Sequence, residues 1–142
     1  MADRRRIFLS YSGEGGKALA RRVSGVLGAL GFDADLPIQP IWQPDREWDD
    51  DIVADIRAAE AVMFIEPSGE SLAPHVLFEI GAAHALGKRI LGVGAERDEL
   101  DAEDPMSADS VLHIYDLIDA SEMDDAALGQ ALLAALPPAP QG

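Results

Sequence analysis

The sequence predicts one α/β domain, a parallel sheet with helices on both faces. Three observations lead there. Short apolar runs alternate with helical periodicities along the whole chain. One of them, Ala61 to Ile65 (AVMFI), is apolar without any polar alternation, as a parallel strand covered on both faces requires. Finally, 142 residues of which 48% are hydrophobic supply one core and leave little room for a second. The expected domain covers 1–136, followed by a flexible tail over 137–142 (PPAPQG).

The elements follow in order. Ile7 to Tyr11 (IFLSY) is a β-rich run ended by the glycines of SGEGG. Leu19, Val23, Val26, Leu27 and Leu30 then recur at helical spacing, and Gly31 stands where a C-terminal cap belongs. Phe32 to Leu36 is a weaker strand broken by Pro37. Pro37 to Trp48 holds three prolines and both tryptophans, which predicts a long loop. Ile52, Val53, Ile56 and Ala59 form the buried stripe of a second helix, whose first turn carries Asp49, Asp50 and Asp51. After the AVMFI strand and an EPSGES loop, a helix runs from about Pro74 to Leu86, with a stripe of Val76, Ile80, Ala83 and Gly87. Gly87 also closes it. Arg89 to Val93 is a fourth strand, Val111 to Tyr115 a fifth, and Met123 to Leu136 a last helix.

Composition excludes several functions. There is no cysteine, so no disulfide framework, thiolate metal site or cysteine nucleophile exists. The net charge of -15 repels phosphate backbones and anionic membrane surfaces, which argues against nucleic-acid and membrane partners. Arg4, Arg5 and Arg6 are the one dense basic patch, and they read as solubilising charges just before the first strand. The N-terminus has no signal-peptide pattern, and no run reaches bilayer-spanning length, so a cytoplasmic location is expected. His75, His84 and His113 lack metal-ligand spacing, and no metal site is expected.

In a parallel sheet the ligand crevice lies beyond the carboxyl ends of the strands. That rule nominates Ser10 to Gly16, Pro37 to Trp48, Glu66 to Ser71 and Gly94 to Arg97. Glu79 lies roughly 100° from the centre of its helix's apolar stripe, a boundary position able to aim a carboxylate at that crevice. His75 is one turn earlier on the same side. Spacing alone favours an ordinary boundary glutamate helped by the helix dipole. Glu66 ends the third strand, where glutamate has no structural reason to be preferred, and could pair with Glu79 across a sugar carbon; it could also simply turn to water. The glycine-rich SGEGG turn lacks both the P-loop and the dinucleotide spacing. Trp42 and Trp48 could stack on a base or pin their loop to the body.

Taken together, RIFLSYS, the GF of the second strand, DIVADIRAAEAVMFI and HVLFEIGAAHALGKRILGV resemble TIR domains over roughly residues 5 to 115. The resemblance implies a flavodoxin-like five-stranded sheet of order 2-1-3-4-5. It also implies NAD glycohydrolase or cyclase activity, in bacterial defence or signalling, with NAD as substrate and no cofactor. Glu79 matches the family's catalytic glutamate, and Ser10, Tyr11 and Ser12 match the mouth of its site. Pro37 to Trp48, including Trp42, matches the loop used for gating and for TIR–TIR self-association, so a homo-oligomer is expected. His75 stands where many TIR enzymes carry tryptophan, and Glu66-Pro67-Ser68 replaces a serine-rich strand end, so Glu66, Ser68 and His75 are counted with the substrate-binding set. The same stretch is similar to nucleoside 2-deoxyribosyltransferases, where Glu79 would be a nucleophile and Glu66 would replace an aspartate. A non-catalytic signalling module is the third expectation.

Overall fold

The computed structural model describes residues 5–11, 13–34, 48–66, 74–94 and 115–136. They form strands β1 (Arg5–Ser10), β2 (Phe32–Asp33), β3 (Ala61–Glu66), β4 (Arg89–Gly94) and β5 (Asp116–Asp119). The helices are α1 (Gly13–Ala29), α2 (Trp48–Ala58), α3 (Pro74–Ala85) and α4 (Asp125–Ala135). The sheet is parallel throughout, in the order β2-β1-β3-β4-β5. This is the flavodoxin-like arrangement expected above.

Side-chain alternation assigns each strand residue to one of two cores. From β1 and the residue that follows it, Ile7, Leu9 and Tyr11 join Met63, Ile65, Leu91 and Val93 beneath α1 and α4, where Val23, Leu27, Leu128 and Leu132 are buried. On the other face, Phe8, Val62, Phe64 and Ile90 pack under α2 and α3 against Ile56, Val76, Ile80 and Ala83. Burying a large aliphatic or aromatic side chain is worth roughly 1.5–3 kcal/mol. The apolar runs of β3 and β4 are thus explained: both of their faces are covered. Gly92 in β4 has a separate cause, since a Cβ there would lie 2.7 Å from the Phe64 ring and 2.9 Å from Leu117.

Helix ends follow local chemistry. Gly31 and Gly87 adopt φ of 94° and 71°, which side chains resist. At Gly87 the Lys88 N–H reaches back to the Ala83 carbonyl at 3.0 Å, closing α3 in a Schellman motif. Asp124 caps α4 by accepting from the Ala127 N–H at 2.8 Å. Arg22 of α1 clamps the same corner, donating to Asp125 at 2.9 Å and to the carbonyls of Ala120 and Met123.

Several boundaries differ from expectation. The fifth strand is Asp116–Asp119; Tyr115 is a bend, and 111–114, with His113, lie outside the described residues. It is an edge strand with no fully buried residue, so its sequence DLID carries weak apolar signal. Trp48 opens α2 instead of ending the preceding loop. Arg5 and Arg6 are strand residues in register with Phe32 and Asp33, not a tail before the strand. Arg5 donates to both carboxylate oxygens of Glu60 through Nε and Nη2, one edge of its guanidinium, and lies 5.2 Å over the Phe32 ring. Val53 is half-buried at the edge of its stripe, and Gly87 is an exposed cap, not part of the buried face of α3. Only Phe32–Asp33 of the second strand are paired, and 35–36 lie outside the described residues. No described helix is long and apolar enough to cross a membrane.

Candidate functional site

Parallel strands end together, so Ser10, Glu66, Gly94 and Asp119 mark one rim of the sheet. Helices in such a fold run back from that rim, and α3 therefore brings its first turns to the end of β1. Ser10 follows the alternation of Phe8 and faces α3, with no exposed surface. Its hydroxyl donates to Glu79 Oε1 at 3.0 Å. One turn earlier on α3, the His75 ring meets the residue that follows β1: Nε2 lies 3.0 Å from the Tyr11 carbonyl oxygen. A carbonyl only accepts, so Nε2 carries the proton and donates it. The last residue of β1 and the one after it are thus held by two side chains one turn apart on α3.

Glu79 is 3% exposed, a core position and not the boundary position its angle on the helix suggests. The first turns of α3 lie directly against β1, so that flank of the helix is covered as well. Burial penalises the charged form and pushes the carboxyl from its ordinary 4.5 up to about 7, with the Ser10 hydroxyl pulling the other way. Among the described residues, no lysine or arginine forms an ion pair with it. Among the described residues, the anionic form of this acid has the Ser10 hydroxyl and no cation to stabilise it. Such a group favours whatever positive charge arrives beside it.

The nominated residues divide clearly. Ser10, Tyr11, His75 and Glu79 come together. Tyr11 contributes its carbonyl, because its ring is 5% exposed in the core on the α1 and α4 side. Glu66 is the last residue of β3, in register with Gly94. Ser12, Trp42 and Ser68 lie outside the described residues. His84 is remote from this rim and bonds to the Tyr115 hydroxyl at 2.9 Å. Asp119, at the rim of β5, is three strand spacings from β1, about 14 Å. Its carboxylate serves the local turn at Ser121, whose hydroxyl and backbone hydrogen bonds lower its pKa. No group of three or more potential metal ligands occurs among the described residues. A cavity of about 500 Å³ between α1 and α4 lies on the opposite face of the sheet from Glu79 and forms no part of this site.

Sequence reasoning missed the Ser10–Glu79 bond, which joins residues 69 apart. One signal could have found it: the IFLSY alternation places Ser10 on the face of Phe8, and a lone polar residue there needs a partner.

No family model and no curated protein sequence matches the chain. Solved structures do. A CMP N-glycosidase of Clostridium botulinum, BcmB, is similar with a TM-score of 0.62 at 20% identity, over 93% of this chain and 100% of the other. A 2-desoxiribosyltransferase from Leishmania mexicana gives 0.61 at 17%, over 91% and 97%. The TIR domains of the activated Roq1 resistosome recognising the effector XopQ give 0.60 at 14%, over 92% and 98%. At these identities the likeness is one of fold.

Proposed function

We propose that the chain cleaves the N-glycosidic bond of a nucleotide, with NAD the leading substrate and Glu79 the residue at the reacting sugar. The observation that carries this reading is the buried Glu79 carboxyl, held by Ser10 at the rim of the sheet and without a cation partner among the described residues. Loss of a base from C1′ builds positive charge on the ribose, and a nearby carboxylate stabilises that charge most where water is excluded. Two of the solved structures that the chain resembles, named as a CMP N-glycosidase and a 2-desoxiribosyltransferase, support the same chemistry coarsely.

In NAD the base is already a pyridinium. When the C1′–N bond breaks, its electron pair neutralises that nitrogen and nicotinamide leaves without needing a proton. Water then bonds to C1′ and gives up its proton to Glu79 or to solvent; attack by an adenine nitrogen instead would give the cyclic product. This sequence uses ionised Glu79. The rate on NAD therefore rises with pH through about 7. A neutral base, as in CMP, would leave as an anion and would use the protonated acid, so its rate falls over the same range. Product analysis after incubation with NAD and with CMP from pH 5 to 9 tests the reading. Self-association through TIR-like surfaces belongs to the same proposal, and activity that rises more than linearly with protein concentration would support it.

A non-catalytic signalling module is the competing reading, and the near-complete burial of Glu79 favours it. Release of any base that depends on Glu79 removes it.

A further inference from the structure

We infer that His75 is a specificity-determining residue that reads the departing base by accepting a hydrogen bond from an exocyclic N–H. The inference takes its substrate class from the glycosidic-cleavage reading, while its geometry stands independently. Three observations carry it. The Tyr11 carbonyl occupies the Nε2 proton, which leaves Nδ1 of a neutral ring as an acceptor. His75 is half-buried, and among the described residues no hydrogen bond to Nδ1 is made. It lies four residues before Glu79, so their Cβ atoms are about 6 Å apart on one side of α3.

That spacing fits a nucleoside. A nucleoside seated with its anomeric carbon at Glu79 and its base toward the first turn of α3 would bring that base to His75, which is anchored to the Tyr11 carbonyl just after β1. A fixed acceptor there distinguishes bases by one feature. Those bearing a carboxamide or amino N–H gain a partner. Isosteric bases with a methyl in that place leave the imidazole nitrogen desolvated and unpaired. The Tyr11 bond has a second consequence: it prevents the ring from turning over to offer its N–H instead.

The test compares nicotinamide with acetylpyridine, in which a methyl replaces the amide nitrogen, both as free bases and within the dinucleotides. Nitrogen NMR of the wild-type histidine rings should show His75 protonated at Nε2 and bare at Nδ1. The Nδ1 resonance should move with nicotinamide and not with acetylpyridine. The wild-type ratio of kcat/KM for NAD over its acetylpyridine analogue should exceed that of His75→Phe by about tenfold. His75→Gln, which keeps both a donor and an acceptor, should restore most of that ratio. A proton found on Nδ1, an equal response to both bases, or one ratio shared by all three proteins overturns the assignment. If no nucleotide is cleaved while Nδ1 still discriminates between the free bases, the cleavage reading falls and the role of His75 stands. If cleavage proceeds with an unchanged ratio, the reverse holds.

Discussion

Burial makes an ionised carboxyl group a cost to the fold that holds it, and Glu79 makes that conflict measurable. In the unfolded chain it ionises near 4.5, whereas in the folded protein it keeps its proton up to about 7. Between those values the native state binds more protons than the unfolded state, so this group's contribution to stability falls as pH rises. Above about 7 the loss is complete, at about 3 kcal/mol. Glu79→Gln should therefore be more stable than the wild type by up to about 3 kcal/mol near pH 8 and equal to it below pH 4.5, by urea unfolding across the range. The same variant should lose base release. Ser10→Ala removes the bond that favours the charged form; NMR titration should find Glu79 ionising above the wild-type midpoint, with stability lower by about 1 kcal/mol. At this scale the sequence singled out Glu79 and misjudged its surroundings. Angle on the helix says which way Glu79 leans, but only the packing of α3 against β1 says what covers it.

Elements were legible where pattern and burial agree. β3 and β4 read correctly because both of their faces are apolar, and α1 and α3 end at glycines whose positive φ their sequences announce. β5 did not, because an edge strand of sequence DLID is half-covered and gives no alternation to detect. Arg5 and Arg6 looked like a solvated tail because their partners, Glu60 and Asp33, are far along the chain. Two predictions belong to this level. Gly92→Ala should destabilise by about 1–3 kcal/mol in denaturant unfolding, because the added methyl meets the buried Phe64 ring and Leu117 at once. Asp124→Ala should lower stability by about 1 kcal/mol through loss of the α4 cap, with faster hydrogen exchange at the Ala127 amide.

At the scale of the molecule, the sheet order brings the site into being. Placing β1 beside β3 sets the start of α3 against the end of β1, and so carries Ser10 and Tyr11 to Glu79 and His75 across more than sixty residues of chain. The fold was legible in the alternation of runs and periodicities. The contacts inside it were not, because they depend on which strands are neighbours. The net charge of -15 adds a condition on ligands: anionic nucleotides approach against the overall field, so a cationic base such as the pyridinium of NAD is the better matched. The most direct test of the central claim is liberated nicotinamide, measured from pH 5 to 9 with the wild type and Glu79→Gln. Release should rise through about pH 7 in the wild type and vanish in the variant. Equal release by both proteins, or none from any nucleotide supplied, would contradict it.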